Sequence, residues 1–491
     1  MASVSDEVET TYAVAPEAAL APVLARAVGH LDGVELELEG ERRHLEATYV
    51  DTADLGLLSA RTTLRRRTGG PDAGWHLKLP GADDARVEVQ LPLGDEADGV
   101  PPALRSLVAA RVRGQELGPV ARIVTERTVS RLVDGAGVVL AEVADDRVAA
   151  RRLVPPAQDL QWRELEVELV EGDRALLAAV DEQLLAGGLE HASSRSKLAR
   201  TLGDPQPAPH PSFTPGSAAG EVVVHHLAEQ VERLVAADPL VRLDRPDSVH
   251  RMRVASRRLR SALRTFAPVL QRGQVRPVAD ELRWLAGGLG EARDAEVLRD
   301  RLREQGAAAG EEVAEGVAHL DEAYHRAHDQ LLLDLDSERY RRLLEALGSL
   351  VQQPRWTEAA DRPAHDVLPQ RVRRAYAEVR TRMRQERWHE ARKAAKRARY
   401  AAEALSDTFG EEAVAFAEAM ERLQEVLGRH QDSVVMREHL LELAERATPR
   451  EAFTYGRLHA REQARGDADL AEATQVWAEV SAKQLRRWLR R

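Results

Sequence analysis

Seven stretches near the start of the chain alternate apolar and polar positions with a period of two: VELELEG (34–40), LEATYVD (45–51), TTLRRRT (62–68), WHLKL (75–79), ARVEVQL (85–91), GVVLAEV (137–143) and RELEVEL (163–169). That period sends successive side chains to opposite faces of a strand. GGPDAG and DGAG between them are turn-like, and short helices are predicted over 17–30, 101–112 and 173–186. The polar positions are often charged. Glu7 and Glu9 share one face, Arg65 and Arg67 another, Arg86 and Glu88 a third, and Glu164, Glu166 and Glu168 a fourth. Any one of these fits an antiparallel sheet with a wet face. Together they also fit a barrel with a polar lumen that holds an anion and, on acidic groups, a divalent metal.

The pattern changes after GDPQPAPHPSFTPGS (203–217), whose prolines at 205, 207, 209, 211 and 215 exclude helix and central strand. The expected organisation is a β-rich domain over 1–203, a Pro-rich linker over 204–217 and a helical domain over 218–491. The last part is rich in Ala, Leu, Glu and Arg at helical spacing. It also repeats itself. VHRMRVASRRLRSALRTF (249–266) resembles WHEARKAAKRARYAAEAL (388–405), and LAGGLGEARDAEVLRDRL (285–302) resembles LQEVLGRHQDSVVMREHL (423–440). Two related helical halves with a pseudo-two-fold arrangement are predicted.

At about 100° per residue, His250, Arg253, Arg257, Arg260 and Arg264 form one stripe, with Met252, Ala255, Leu259, Leu263 and Phe266 opposite as the core face. The second copy repeats the stripe as His389, Arg392, Lys396 and Arg399, with Glu403 in place of Arg264. Arg258 and Arg397 fall off the stripes and are expected to pair with neighbouring helices. A single stripe fits a solvated basic face, since like charges at i, i+4 cost only a few tenths of a kcal/mol. Duplication of the same stripe points to an anion site, and its length suits an extended polyanion.

Composition sharpens this reading. The chain has 491 residues, 43% hydrophobic and 31% charged, and no cysteine, which excludes disulfides and every thiolate chemistry. Net charge is −11, yet residues 1–200 hold 23 basic and 34 acidic groups, while the rest holds 47 of each. The stripes therefore sit in a neutral domain. Aromatics are 4% of the chain, which disfavours base stacking and hence nucleic acid. RVRR (371–374), RTRMR (380–384) and LRRWLRR (485–491) are further basic clusters. His319, His325 and His328 share a predicted helix, but no carboxylate pattern completes a metal site. No apolar run reaches the roughly 20 residues of a membrane span, and the acidic start lacks a signal-peptide layout, so a cytoplasmic protein is expected.

Residues 1–200 resemble the CYTH domain of the triphosphate tunnel metalloenzymes. The resemblance rests on EVET (7–10), LRRRTG (64–69), HLKLPG (76–81), RVEVQL (86–91), LAEV (140–143), ELEVEL (164–169) and SSRSKLAR (193–200). It implies an eight-stranded antiparallel tunnel. Phosphate would be held by Arg65, Arg67, Lys78, Arg86, Arg122 and Arg127, and Mg²⁺ or Mn²⁺ by Glu7, Glu9, Glu142, Glu166 and Glu168. The family opens Glu-x-Glu-x-Lys, whereas Thr11 stands here at the lysine position. Loss of that cation leaves turnover open, and no catalytic residue is assigned.

Residues 217–491 resemble the CHAD domain through both basic helices and through LGEARD and LGRHQD. This second resemblance implies a pseudo-symmetric helical domain that binds inorganic polyphosphate. The carried-over site is His250, Arg253, Arg257, Arg260, Arg264, His389, Arg392, Lys396 and Arg399. The expected function is polyphosphate binding, in the cytoplasm and at polyphosphate granules, with a tunnel that takes triphosphate and metal. Two alternatives stand beside it: a metal-dependent triphosphatase or polyphosphatase to which the helices deliver polymer, and a protein- or nucleic-acid-interaction surface. Oligomeric state is not legible.

Overall fold

Strands with charge on one face and apolar residues on the other can roll up with either face inward. Here the charged face turns in. The structure, a computed structural model, describes residues 3–81, 85–95, 99–203, 211–309 and 313–490; residues 204–210 of the predicted linker lie outside these. The chain divides into two compact units, Met1–Pro209 and His210–Arg491.

In the first unit β1 (Ser3–Glu7), β2 (Glu9–Val14), helix α1 (Leu20–Val28) and β3 (Val34–Asp51) are followed by a short α2 (Gly56–Ser59). Then come β4 (Thr63–Thr68), β5 (Gly74–Pro80), β6 (Arg86–Pro92), α3 (Pro102–Val112), β7 (Gly118–Asp134), β8 (Val139–Arg152), β9 (Gln158–Leu169), α4 (Arg174–Ala186), β10 (Glu190–His191) and α5 (Lys197–Leu202). All pairings are antiparallel, in the order β1-β6-β5-β4-β3-β7-β8-β9-β2-β10. The first strand breaks at Val8, so Glu7 pairs with Arg86 on β6 while Glu9 pairs with Glu168 on β9. One chain segment thus joins both sides of the rolled sheet. Counting β1 and β2 as one strand, with the two-residue β10 an appendage, gives the eight strands expected.

Among the elements that differ from the period-two reading are β7 and β3. β7 is a full strand that strict alternation does not reveal, because apolar residues stand side by side at Val120–Ala121, Ile123–Val124 and Leu132–Val133. The stretches 34–40 and 45–51 are one strand, carried through by a register shift between Leu38 and Arg42. Apolar residues of the outer face, including Tyr12, Leu132, Val143, Leu165 and Val167, pack with Leu24 of α1 and Leu177, Val180 and Leu184 of α4. At one end the inward face is apolar too. There Ile123, Val148, Ala150 and Trp162 pack on Leu198, Ala199 and Leu202 of α5.

The second unit is helical: α6 (Ala219–Arg242), α7 (Ser248–Thr265), α8 (Arg272–Ala309), α9 (Ala314–Asp336), α10 (Glu338–Gln352), α11 (Ala364–Val367), α12 (Pro369–Arg384), α13 (Trp388–Glu403), α14 (Ser406–Phe409), α15 (Glu411–Arg446) and α16 (Pro449–Val480). α6, α7, α8 and α9 pack in sequence, as do α12, α13, α15 and α16, and α7 meets α13. The predicted core stripe of α7 is buried, with Met252, Leu259 and Leu263 at 0% exposure.

Gly69, just after β4, has φ +79°, and a Cβ there would stand 2.0 Å from the His44 carbonyl oxygen. Gly94 has φ +62° and open space around it. In urea unfolding, Gly69→Ala is expected to cost roughly 3 kcal/mol or more and Gly94→Ala about 1 kcal/mol. Equal losses would contradict the packing described.

Candidate functional sites: a polar tunnel and a two-helix cationic cluster

The inward face of the rolled sheet lines a cavity with Arg65, Arg67, Lys78, Arg86, Arg127, Glu7, Glu9, Glu166 and Glu168, as expected, together with Thr11, Tyr49, Glu88, Glu164 and Lys197. A wider cavity of about 700 Å³ shares Glu7, Glu9, Thr11 and Arg86 with it. Two expected residues fall elsewhere. Arg122 pairs across strands with Thr48, while its neighbours Ile123 and Thr125 take the inward positions. It is 56% exposed and meets Glu46 at 2.5 Å. Glu142 keeps the inward register opposite Glu168, but lies beyond the cavity lining, beside Arg131 at 3.6 Å.

The lumen is polarised. β4 and β5 bring Arg65, Arg67 and Lys78, while β1, β2, β8 and β9 bring carboxylates. Arg127 bridges Asp146 at 2.6 Å and Glu166 at 2.5 Å. Lys197, at the first turn of α5, reaches Asp146 at 2.9 Å, Glu164 at 2.8 Å and Glu166 at 2.5 Å. Burial works against both cations, but these carboxylates hold their pKa values well above normal. Sequence reasoning missed Lys197 as a site residue, although it lies in the SSRSKLAR segment. Thr11 is the cross-strand partner of Glu166, so Arg127 and Lys197 crowd the neighbourhood of the substituted lysine position.

The remaining acids are less well matched. Lys78 contacts Glu7, and Arg86 lies 3.4 Å from Glu9. Burial raises the Glu9 carboxyl despite Lys78. Burial, with Glu7 nearby, pushes Glu168 up to about 7. Glu7 Oε2 is buried with no hydrogen-bond partner. An orphaned carboxylate oxygen beside crowded acids is what a divalent cation would satisfy, so Glu7, Glu9 and Glu168 fit a hard metal. Asp146, Glu164 and Glu166 also cluster closely enough for an ion, but Lys197 and Arg127 already neutralise them.

In the helical unit the two stripes converge. Lys396 lies in the field of Arg257, Arg392, Arg253 and Arg399; burial and these cations pull its ammonium down to about 7. Burial likewise lowers Arg253 and Arg392, against the pull of Asp294 and Asp432 respectively. Those acids are the last residues of the two repeated LGxxxD segments. They stand 3.2 Å from Arg253 and 3.9 Å from Arg392. The repeated glycines matter too: a Cβ at Gly290 would lie 3.9 Å from Arg253, and one at Gly428 3.8 Å from Arg392. Arg257 donates to the Tyr400 hydroxyl at 2.9 Å. His250 joins the cluster, lowered by burial and by Arg293, a cation that sequence reasoning did not select.

The other predicted positions are peripheral. Arg260 is lowered by burial and by Arg283. Arg264 is exposed. His389 is exposed and meets Gln431 at 2.6 Å. Arg399 is neutralised by the protein itself, at 2.6 Å from both Glu403 and Glu421. Arg258 and Arg397 pair with Glu403 at 3.0 Å and Glu378 at 2.6 Å, on neighbouring helices as expected. His328 is buried against the Val241 carbonyl at 2.9 Å, a packing role.

The CYTH domain family model matches residues 7–202 and the CHAD domain family model residues 225–441. The uncharacterized proteins MT2285 and Rv2226, from two strains of Mycobacterium tuberculosis, are each 39% identical over 482 residues, 91% of this chain and 91% of theirs. The chain belongs to their family, as a CYTH domain followed by a CHAD domain. Among solved structures, the CHAD domain of the plant Ricinus communis is 27% identical, covering 56% of this chain and 97% of its own, with TM-score 0.47. PptA from Streptomyces chartreusis is 23% identical over 53% of this chain and 100% of its own, with TM-score 0.43. HpAC1 from Hippeastrum, which has a dominant triphosphatase activity, is 16% identical over 40% of this chain and 93% of its own, with TM-score 0.26. The N-terminal unit is a CYTH domain built around a polar tunnel. No helix among the described residues is long and apolar enough to cross a membrane.

Removing one partner from a buried ion network leaves uncompensated charge, at about 3–5 kcal/mol. Lys197→Met is expected to lose that much in urea unfolding at pH 7. Lys197 and Arg127 hold the Glu166 carboxyl, against burial, well below its usual 4.5. The stability from that pairing is present above 4.5 and lost as pH falls through the lower folded value. The deficit of Lys197→Met should therefore shrink in strong acid. An unchanged midpoint at pH 7 would refute the network's role.

Proposed function

We propose that this protein binds inorganic polyphosphate through the facing α7 and α13 helices of its CHAD domain. The observation that carries the reading is the convergence of Arg253, Arg257, Arg392 and Lys396 from both repeats, against only Asp294 and Asp432. Such cations repel one another and have lost water. A row of phosphates supplies negative charge all along the cationic stripe and relieves both costs. An extended polymer suits the site better than one phosphate because Arg260 and Arg264 continue the α7 row. On this reading the protein acts at polyphosphate granules in the cytoplasm.

A second activity, metal-dependent hydrolysis in the tunnel, is favoured by the orphaned Glu7 oxygen and the raised Glu168. Mg²⁺ or Mn²⁺ on Glu7, Glu9 and Glu168 would neutralise phosphate charge and polarise a phosphorus–oxygen bond. Arg65, Arg67, Lys78, Arg86 and Arg127 would hold the triphosphate itself, with Lys78 and Arg86 standing beside the metal-binding acids.

Replacing Arg253, Arg257, Arg392 and Lys396 with Ala is expected to weaken binding of long-chain polyphosphate severely in a titration while the thermal transition persists. Wild-type binding should weaken steeply with salt. Undiminished binding by the variant would sink the reading. For the tunnel, phosphate release from inorganic triphosphate is assayed with Mg²⁺ and Mn²⁺. Turnover by the wild type that Glu7→Ala lowers at least about 100-fold supports hydrolysis. Turnover appearing only in Thr11→Lys indicates a tunnel that binds without cleaving.

A further inference from the structure

Two basic segments far apart in sequence, helix α12 and the C-terminal segment, pack together in the helical unit. α12 carries Arg371, Arg373, Arg374, Arg380, Arg382 and Arg384, and its one acid, Glu378, is taken by Arg397 at 2.6 Å. The C-terminal segment brings Arg486, Arg487 and Arg490. Trp488 and Leu489, 2% and 3% exposed, pin that segment in place. Trp488 lies 5.5 Å from the Phe409 ring and 6.1 Å from Phe416. Arg486 stacks over the Tyr376 ring at 4.7 Å, and Arg380 and Arg384 act on the same phenol.

Among the described residues the six α12 arginines appear in no ion pair, since the helix's one acid is taken by Arg397. This is unusual here, since arginines elsewhere in the chain commonly face an acid. Arg371 is lowered by burial and by Arg374, with no acid opposing. The Nε atoms of Arg371 and Arg382 are buried without a hydrogen-bond partner. Arg373, Arg374, Arg380, Arg384, Arg487 and Arg490 are exposed.

We propose that α12 and the C-terminal segment form a second docking surface for the same anionic polymer, a long inorganic polyphosphate chain. This rests on the reading of the α7–α13 cluster. Guanidinium groups bind phosphate oxygens in pairs, and many of them spread over a surface favour a polymer over a single ion. The rings nearest the arginines are buried: Tyr376 is 4% exposed and Trp488 2%. Bases would have nothing to stack on, which favours a polyanion without bases over single-stranded nucleic acid.

The test compares full-length wild type with two variants. In the surface variant Arg374, Arg380, Arg384 and Arg487 are changed to Ala; in the cluster variant Arg253, Arg257, Arg392 and Lys396 are. Probes are polyphosphate of about 100 phosphates, tripolyphosphate and a single-stranded RNA. The surface variant is expected to bind the long chain about tenfold more weakly, with a shallower salt dependence, and tripolyphosphate as the wild type does. Unchanged long-chain affinity and salt slope would overturn the second surface while leaving the first intact. Loss of RNA binding alone would also overturn it. If instead the cluster variant binds as tightly as wild type, the primary reading fails, and the surface variant still reports on its own site.

Discussion

A charge removed from water must be repaid by a counter-charge close by, and both units of this protein are arranged around that requirement. In the rolled sheet the debt is largely settled internally. Lys197 and Arg127 sit among Asp146, Glu164 and Glu166, and the buried network closes on itself. Where it does not close, at Glu7, Glu9 and Glu168, the carboxylates are crowded and one oxygen has no partner. The helical unit shows the reverse imbalance: cations gathered on α7 and α13 with too few acids beside them.

The two imbalances have opposite sign and complementary chemistry. Surplus carboxylate suits a cation, and surplus guanidinium and ammonium an anion. The polarised tunnel offers both within one lumen. The repeated helices carry only the cationic half, twice over. Asp294 and Asp432 orient Arg253 and Arg392 without cancelling the cluster, and Gly290 and Gly428 leave room for those side chains. Copying a basic helix together with its LGxxxD partner reproduced both the cation and the means of holding it.

Much of this was legible in the chain because periodicity is a local property. Alternation in β4, β5, β6 and β9 identified the inward charges, and helical spacing placed Met252, Leu259 and Leu263 in the core. What local pattern could not supply was phase and partner. Arg122 and Arg127 lie in one strand, but odd and even positions face opposite ways, and only cross-strand register tells which is inside. Arg399 fits the stripe by angle, yet Glu403 and Glu421 consume it. Lys197 entered the lumen because α5 packs its Leu198 and Leu202 into the end of the sheet, a contact between residues distant in sequence. In β7 adjacent apolar pairs such as Val120–Ala121 and Leu132–Val133 erase the alternation.

The most direct test is titration of the Lys396 amine, followed by NMR of labelled lysine in the free and polyphosphate-bound protein. Burial and the surrounding arginines place its pKa at about 7 in the free protein, and phosphate should return it toward the ordinary value of 10.5. Between those values binding would then take up a proton. A free-protein pKa already near 10.5, unmoved by polyphosphate, would mean that the cations are not short of counter-charge, and the account of the site would be contradicted.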